Sequence, residues 1–396
     1  MRIGIIGCGV AGQAAAIALS RAGHAVDVFE RFATARPLGA GLLLQPSGLA
    51  VLERLGLRQA AESFGAPVHR IDGRIPSGRC VFDLRYPQGQ HGLGIHRGAL
   101  FQLLHDAMGA AGAALHLDFE VESIDALARP IVVSKAGKRE GPFDLLIDCA
   151  GAHDRLRDGL GLKVRAPLYP WGALWTACPD RDGGFAGTLH QMYKRAHTMM
   201  GILPIGRRPG GDEQLVAFFW SLKLEDFEAQ RAAGLDVLKQ RALDVWPEAG
   251  PIVREIERFE DFSLASYRDV SIRPYRKGRV LVIGDAAHGT SPQLGQGANL
   301  ALIDALMLAY HLTDEDTDRA LAAFERARKP HVDFYRLASR GLTPMFQSDG
   351  VFLPWARDTF LRGANWLPAG RHVMGTTLSG TRKLPLGLWR PPPSRD

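Results

Sequence analysis

The alternation of apolar and polar residues divides the start of the chain into short elements. Residues 2–6 form a nearly continuous apolar run, as expected for a buried strand, and residues 10–21 are small and apolar, as in a closely packed helix. A second apolar strand ends at Glu30. This order predicts strand, tight turn, helix and strand, the unit from which parallel α/β sheets are built.

Helical and strand-like pieces alternate in the next part of the chain. In order, we expect a glycine-rich loop at 39–48, a helix at 49–57, a hairpin excursion within 70–93, a helix from His96, and strand, turn, strand within 131–151.

Strand patterns dominate from 164 to 275, with one helix around 234–245. The buried-strand pattern returns just before Gly284, and helices are expected at 298–312 and 316–340. The last twenty-odd residues have the character of a loosely held tail. The order predicts a mostly antiparallel sheet inserted between two halves of an α/β domain.

Composition narrows the classes of protein. With 396 residues, 46% of them hydrophobic, the chain can form two or more sizeable cores. The net charge of +6 comes from 48 basic and 42 acidic residues spread along the chain, which favours anionic small molecules over nucleic acid. Residues 3–20 carry no charge, but the four glycines among them argue against a signal peptide or a membrane span.

The four cysteines predict no metal site and no disulfide framework. Cys8, Cys80, Cys149 and Cys178 are scattered without CxxC spacing. We therefore expect reduced, buried cysteines in a cytoplasmic protein. As a separate expectation, the protein is a monomer or a homodimer.

The first glycine-rich segment, GCGVAG, lies between the first strand and the first helix. Gly7 permits the turn, Gly9 lets a pyrophosphate approach the backbone, and Gly12 lets helix and strand pack closely. The start of the helix then offers free amide donors to phosphate groups. Glu30 is placed to accept hydrogen bonds from ribose hydroxyls, which disfavours NADP in this site.

A second glycine-rich segment, GDAAHGTSPQLGQGAN at 284–299, also follows an apolar strand. Together with GxGxxG, Glu30, and Arg97 in HRGAL, it resembles the FAD-dependent aromatic hydroxylases of the para-hydroxybenzoate hydroxylase type. The resemblance covers the chain to about residue 360. It implies an α/β fold in which a Rossmann-type FAD-binding domain carries an inserted, mostly antiparallel β-sheet substrate domain and C-terminal helices.

The resemblance also implies domain boundaries and an activity. The FAD-binding domain would comprise 1–72, 95–163 and 277–345, the substrate-binding sheet 73–94 and 164–276, and the C-terminal helix and tail 346–396. The activity would be that of a single-component monooxygenase: NADH or NADPH reduces FAD, O2 adds to the flavin, and the flavin hydroperoxide hydroxylates an electron-rich aromatic or heteroaromatic molecule.

Cofactor contacts follow residue by residue from the matched motifs. Pro292 would lie over the flavin ring and shape the oxygen-transfer pocket, with no catalytic base assigned, and His288 is expected to be structural. Gln45 is either a polar contact of the cofactor or part of an exposed turn. The residues expected to bind FAD are Gly7, Gly9, Val10, Ala11, Gly12, Glu30, Arg31, Gly41, Arg97, Asp285, Gly295, Gly297, Ala298 and Asn299.

One segment departs from the family pattern. The family places an Asp-Gly pair, then a serine and an arginine, after the strand that ends near 148, whereas this chain has CAGAHDRLR. Ala150 stands in place of the aspartate and Asp154 in place of the serine. The efficiency of flavin reduction is therefore in question, unless Asp148 compensates from the same side of the strand.

The inserted sheet supplies candidates for the substrate pocket. The expected pocket residues are His190, Tyr193, His197, Met199, Phe218 and Trp220, with Trp171, Trp175 and Tyr267 as further candidates. Their Trp, Met and Phe content predicts a largely apolar aromatic substrate.

Other classes of flavoprotein remain to be weighed. The WxWxIP signature of flavin halogenases is absent. Two alternatives stay open: an FAD-dependent reductase or dehydrogenase without oxygen transfer, and a flavin-binding protein with impaired reduction by NAD(P)H.

Overall fold

A computed structural model describes residues 1–35, 39–312, 316–364, 368–385 and 387–393. The strands, in chain order, are β1 (Arg2–Ile6), β2 (Ala25–Phe29), β3 (Gly41–Leu44), β4 (Ala66–Val68), β5 (Arg70–Arg74), β6 (Cys80–Arg85), β7 (Gly92–His96), β8 (Ala114–His116), β9 (Val121–Asp125), β10 (Ile131–Ser134), β11 (Arg139–Glu140), β12 (Leu145–Asp148), β13 (Lys163–Arg165), β14 (Leu168–Pro179), β15 (Thr188–Lys194), β16 (Thr198–Gly206), β17 (Leu215–Lys223), β18 (Ser263–Arg268), β19 (Ser271–Arg273), β20 (Arg276–Lys277), β21 (Val280–Val282), β22 (Arg382–Lys383) and β23 (Gly387–Leu388).

The α-helices of the described residues lie between these strands and after them. In chain order they are α1 (Val10–Arg21), α2 (Pro46–Arg54), α3 (Arg58–Phe64), α4 (Arg97–Ala110), α5 (Phe227–Ala233), α6 (Leu235–Val245), α7 (Gly250–Arg254), α8 (Asp285–His288), α9 (Gly297–His311), α10 (Thr317–Phe346), α11 (Phe352–Ala364) and α12 (Pro368–Leu378).

The first large sheet has the strand order β20-β21-β12-β1-β2-β8. All neighbouring pairs are parallel except β20 with β21. Helices α1, α4 and α9 cover one face with a shared apolar core, and residues from β10, β12 and α8 form a second core on the other face. The carboxyl ends of β1, β12 and β21 lie side by side, so the two glycine-rich segments leave the sheet at the same edge.

The second large sheet has the order β18-β14-β17-β16-β15-β5-β6. It is antiparallel apart from the parallel pair β15 and β5. Its contribution from the early part of the chain starts at Arg70, three residues before the expected domain boundary. Helices α5, α6 and α7 cover the face that points away from the first sheet.

The fold class is confirmed, while several element boundaries differ from expectation. Helix α2 begins at Pro46 rather than 49, because proline is well suited to the first helical position. Helix α10 continues to Phe346 instead of ending at 340, and short helices α5 and α7 flank the one expected near 234–245.

The expectation of a loosely held tail is wrong for the described residues up to Trp389, while residues 394–396 of that tail lie outside the described part of the chain. Strands β22 and β23 form a hairpin, and the Trp389 side chain after it is buried against the ring of His331. Burial of this large aromatic residue fixes the segment to α10, a contact that the local sequence does not indicate.

Candidate active site

The turn after β1 is shaped to accept phosphate. Gly7 has φ +97°, and a Cβ there would lie 2.7 Å from Cys149 O, while a Cβ on Gly12 would overlap Gly7 O. At Gly9 an added Cβ would meet no atom within 4 Å. Helix α1 begins there with no side-chain cap and no acidic residue in its first turn. Its amide donors therefore face open space, as a pyrophosphate site requires.

Glu30 supports this turn from the end of β2. Its carboxylate accepts hydrogen bonds from the backbone N–H groups of Cys8, at 3.0 Å, and Phe32, at 3.1 Å. Each oxygen keeps a further lone pair for a ribose hydroxyl. Arg31 is exposed beside it, with its guanidinium 4.7 Å from the centre of the Phe32 ring.

The two glycine-rich segments meet in space. A Cβ added at Gly284 would lie 2.9 Å from the Cβ of Ala11, and Val10 is half-buried in the same turn of α1. The exposed Asp285 carboxylate lies beside Gly297 at the start of α9, since a Cβ on Gly297 would be 3.5 Å from Asp285 Oδ1. The region bordered by the start of α1, the exposed Asp285 and the start of α9 is here called the cleft.

Arg97 lies inside this cleft. Its backbone N–H donates to Ala40 O at 3.0 Å, and its Nε donates to Gly41 O at 3.5 Å. The side chain is accessible to water, yet burial lowers its pKa, and Tyr267 and Asp285 partly offset the effect. A side chain that is reached by water and is still partly desolvated lies in the wall of a recess. Such a position suits Arg97 to binding an anionic group such as a pyrophosphate.

Gln45 provides a test of whether the far end of the cleft fits a flavin ring. Its Oε1 accepts a hydrogen bond from Tyr86 at 2.6 Å, while its buried Nε2 has no partner among the described residues. That nitrogen is 3.6 Å from the position of a Cβ on Gly295. An unpaired buried donor is costly, and a ring carbonyl of the isoalloxazine would satisfy it. The donor set therefore fits FAD.

Asn299 holds the backbone around this donor. Its Oδ1 accepts from Gln45 N at 2.8 Å, and its Nδ2 donates to Leu43 O at 3.3 Å and Gly295 O at 2.9 Å. Because these bonds use the side chain, Asn299 positions the flavin end of the cleft rather than contacting a ligand through its amide. Ala298 lies half-buried in the uncapped first turn of α9.

Pro292 begins a short turn that is fastened to α10. The preceding Ser291 hydroxyl lies 2.6 Å from Thr343 Oγ1, and the following Gln293 donates to Gln347 at 2.8 Å. His288 is buried against Asp304, with Nε2 2.6 Å from Oδ2. This contact fits the structural role expected for His288.

The sheet does not bring the six expected pocket residues together. Side chains alternate between the two faces of a strand. Phe218 and Trp220 point away from the cleft into the core under α5, α6 and α7, and His190 lies on the same far face beside Trp246. The prediction that these three residues line the pocket is therefore wrong, because they lie on the face of the sheet that helices cover.

The other three candidates lie toward the C-terminal helices. Tyr193 is sealed in a core, where its hydroxyl donates to Gln191 at 2.7 Å and the Arg357 guanidinium covers its ring at 4.7 Å. Met199 is buried in the same core, and His197 is exposed on a hairpin. None of the three has a polar group directed toward Arg97.

Trp175 and Tyr267 face the cleft instead. Trp175 is in the middle of β14 and remains accessible, with its ring 4.6 Å from that of Phe219. Its Nε1 donates to the Tyr267 hydroxyl at 3.2 Å, and Tyr267 interacts electrostatically with Arg97. The small residues Ala173, which is buried, and Ala177 flank Trp175 on the same face of the strand.

Asp148 does not take the place of the missing aspartate. Its carboxyl is fully buried, Oδ1 accepts from Ala150 N at 3.0 Å, and Oδ2 has no partner among the described residues. Burial, together with the nearby Asp154, raises its pKa well above the ordinary value. Arg157 ties the segment to α8 by donating to Ala286 O at 2.6 Å. The side chain of Ala150 itself is exposed.

The described residues contain neither a membrane-spanning helix nor a cluster of metal ligands. No helix there combines the length and apolar character that crossing a bilayer requires. No group of three or more His, Cys, Asp and Glu side chains there could hold a metal ion.

Comparison with known proteins links this geometry to a family. The family described as "FAD binding domain" matches residues 1–334. Kynurenine 3-monooxygenase of Salinispora tropica is 32% identical over 358 residues, covering 84% of this chain and 77% of the relative. The 2-heptyl-3-hydroxy-4(1H)-quinolone synthase of Mycobacteroides abscessus is 28% identical over 359 residues, covering 86% and 90%.

A solved structure shares the fold. HpxO of Klebsiella pneumoniae, complexed with FAD and uric acid, has a TM-score of 0.79 at 21% identity, covering 96% of this chain and 97% of that chain.

Proposed function

This chain belongs to the family of FAD-dependent aromatic hydroxylases, and from that premise we propose that it hydroxylates a largely apolar aromatic or heteroaromatic molecule held against Trp175 and Tyr267. It is a single-component monooxygenase that uses FAD, with NADH or NADPH as transient reductant. The observation that carries the substrate proposal is the partly accessible Trp175 ring, which contacts Phe219 at a tilt of 32° and faces the cleft.

The residues of the chain hold the cofactor at both ends. The α1 amides and Arg97 would hold the pyrophosphate, Glu30 and Asp285 the hydroxyls of ribose and ribityl, and Gln45 a carbonyl of the ring. When bound, FAD supplies the redox chemistry, taking a hydride from the nicotinamide and then activating O2 so that one oxygen atom reaches the substrate and the other leaves as water.

Tyr267 supplies the polar contact for the substrate. The Trp175 indole N–H can only donate, so the Tyr267 oxygen accepts from it and the hydroxyl proton points elsewhere. Burial raises the pKa of Tyr267, which keeps that proton in place at neutral pH. We propose that it donates to a ring hydroxyl or carbonyl oxygen of the substrate.

The apolar wall serves the reaction in a second way. The Trp175 ring, in contact with the buried Phe219 ring, presents an apolar surface that water does not solvate well. Excluding water protects reactive oxygen from unproductive decay and strengthens the hydrogen bond from Tyr267. A carboxylated benzoate fits less well, because the Arg97 guanidinium, which interacts electrostatically with Tyr267, would be occupied by the FAD pyrophosphate.

Relatives support the same substrate chemistry. Two of them are named for kynurenine and for an alkylated hydroxyquinolone, and the solved HpxO structure contains uric acid. All three molecules carry an oxygen on or beside an aromatic or heteroaromatic ring. We therefore favour phenols and quinolones as substrates, with indoles included in the test panel for comparison.

The location and assembly of the protein are also proposals. No disulfide joins its four cysteines, all of which lie in the described part of the chain, and this supports a reducing, cytoplasmic setting. We propose a monomer or a homodimer. The exposed side chains of Val351, Phe352 and Trp355 are the natural dimer contact, and sedimentation velocity would distinguish the two states.

Anaerobic mixing with NADH and NADPH tests the proposal directly. A panel of phenols, indoles, quinolones and small carboxylated benzoates would be added, and flavin bleaching followed by stopped flow. Oxygen would then be admitted and the hydroxylated product identified by mass spectrometry. Stimulation by the benzoates alone would refute the apolar substrate class, and reduction without oxygen incorporation would favour a reductase.

A further inference from the structure

The C-terminal segment crosses the outside of the flavin end of the cleft, beyond the part of the chain that matches the family. We propose that residues 376–385 and 387–389, here called the C-terminal strap, position Gln296 and thereby set the affinity for FAD. The inference rests on the proposed location of the flavin ring between Gly295 and Gly297.

The strap hydrogen-bonds both segments that border the ring. Gln296 Nε2 donates to Leu378 O at 3.0 Å, just before the Ser379 that accepts from Ser47 N at 3.0 Å. The Ser379 hydroxyl also donates to Gln90 at 2.9 Å. Gln296 is 4% exposed and Ser47 2% exposed, so water cannot replace these partners.

Gly380 sets how closely the strap approaches. Its φ is +79°, which favours glycine, and a Cβ there would overlap Ser47 Oγ and lie 2.8 Å from Gln296 Oε1. Any side chain at this position would therefore push the strap away from both residues. Gln296 lies between the two glycines that bring backbone against the ring, so its displacement would carry that backbone with it.

A second path connects the strap to the start of the same glycine-rich segment, at Gly284. Gly380 O accepts from His331 Nε2 at 2.8 Å, and His331 Nδ1 accepts from Arg328 Nη1 at 2.6 Å. Arg328 Nε donates to Asp304 Oδ1 at 2.7 Å, and Asp304 Oδ2 accepts from Gly284 N at 2.9 Å. The chain of bonds ends at the residue that precedes Asp285.

The protons in this path have fixed positions. Burial and the nearby Arg328 lower the pKa of His331 to about 3, so its ring is neutral, accepting at Nδ1 and donating at Nε2. Trp389 stacks on that ring with centroids 5.7 Å apart and planes at 2°. The Asp304 pKa is also lowered by the His288 and Arg328 contacts, despite its burial. His331 and Asp304 therefore do not change protonation state near neutral pH, so the path is a rigid connection.

Thermodynamic linkage makes the effect reciprocal. If the docked strap raises the affinity for FAD, bound FAD must stabilise the docked strap by the same factor. This gives two independent measurements, neither of which needs turnover, substrate or oxygen.

The first test compares two glycine substitutions with equal backbone cost. Gly380→Ala and Gly112→Ala both place alanine at positive φ, +79° and +82°, but an added Cβ at Gly112 meets nothing within 4 Å. Apoprotein would be titrated with FAD, and quenching of flavin fluorescence would give Kd. We expect Kd to rise at least about tenfold for Gly380→Ala, equivalent to about 1.4 kcal/mol, and to stay at the wild-type value for Gly112→Ala.

The second test does not depend on Gly380→Ala folding well. Gln296→Met keeps the length of the side chain but removes the amide that bonds Leu378 O, and it should also raise the Kd for FAD. Hydrogen exchange of wild-type protein should show FAD slowing exchange at the amides of Thr381 and Trp389.

A wild-type Kd in both Gly380→Ala and Gln296→Met, or strap exchange unaffected by FAD, would overturn the inference. Wild-type protein that binds no FAD would overturn the proposed function along with it. If the strap substitutions raise the Kd for FAD as predicted but the wild-type protein hydroxylates no substrate, only the proposed function is refuted.

Discussion

Replacing Tyr267 by phenylalanine removes a single oxygen atom from the cleft and leaves the ring in place. That oxygen accepts the 3.2 Å bond from Trp175 Nε1 and carries the proton that we assign to the substrate. Losing one such neutral bond costs about 1 kcal/mol of folding stability. Losing a donor to a substrate oxygen costs about 1.5 kcal/mol, or about 3 kcal/mol where that oxygen becomes negatively charged.

These free energies predict the kinetic effect. The kcat/KM for the aromatic substrate should fall about tenfold for a neutral acceptor and about 100-fold for an anionic one. Substrate-stimulated NAD(P)H oxidation and hydroxylated product should be measured together, since water that enters the cleft would raise uncoupled oxidation. The Kd for FAD should stay at its wild-type value.

Tyr193→Phe is the matched control. Tyr193 also lies on the cleft-side face of the second sheet and makes one neutral hydrogen bond, to Gln191 at 2.7 Å, but its hydroxyl is sealed away from the cleft. Both variants should lose similar stability, and only Tyr267→Phe should lose kcat/KM. The reasoning is refuted if Tyr193→Phe is the catalytically impaired variant and Tyr267→Phe turns over normally.

Three further predictions concern the cofactor segments. Gly12→Ala puts a methyl group against Gly7 O, so FAD binding measured by flavin fluorescence should be lost; Gly109→Ala, whose methyl would meet nothing within 4 Å, should bind FAD normally. Ala150→Asp restores the expected carboxylate beside Gly7, and anaerobic stopped flow should show faster flavin reduction; an unchanged rate would deny this position that role. Burial raises the pKa of Asp148 in the folded state, so between the two pKa values the folded protein binds more protons than the unfolded chain. The protein therefore loses stability as the pH rises from the ordinary aspartate pKa toward the raised one. Thermal unfolding of Asp148→Asn across this range should lack that slope, and a wild-type slope would contradict the assignment.

The nucleotide-binding half was largely predictable because its determinants are local. The predicted strand at 2–6 and helix at 10–21 match the observed β1 and α1. Gly7, Gly12 and Glu30 all belong to one strand-turn-helix-strand unit, so their spacing in the sequence specifies their geometry. The meeting of the second glycine-rich segment with the first followed from the family resemblance, and the close approach of Gly284 to Ala11 shows how it occurs.

The substrate face was less predictable because strand alternation identifies two faces without saying which one meets the cofactor. Phe218 and Trp220 are direct neighbours of Phe219 in β17, but their side chains point to the opposite face of the sheet. Helices α5 to α7 cover that face, whereas Phe219 contacts Trp175 on the other. The α5 and α7 helices were not expected, so nothing in the pattern identified the covered face.

The sequence by itself predicted a dinucleotide site at GCGVAG, and its second motif indicated FAD. Only the tertiary structure decided that Trp175 and Tyr267 face the cleft, that the buried Asp148 cannot replace the aspartate missing at position 150, and that the C-terminal segment is a docked strap. The reason is physical: a tight turn and a helix start are set by neighbouring residues, whereas contacts such as that of Ser47 with Ser379 join residues far apart in the chain, and burial decides their strength.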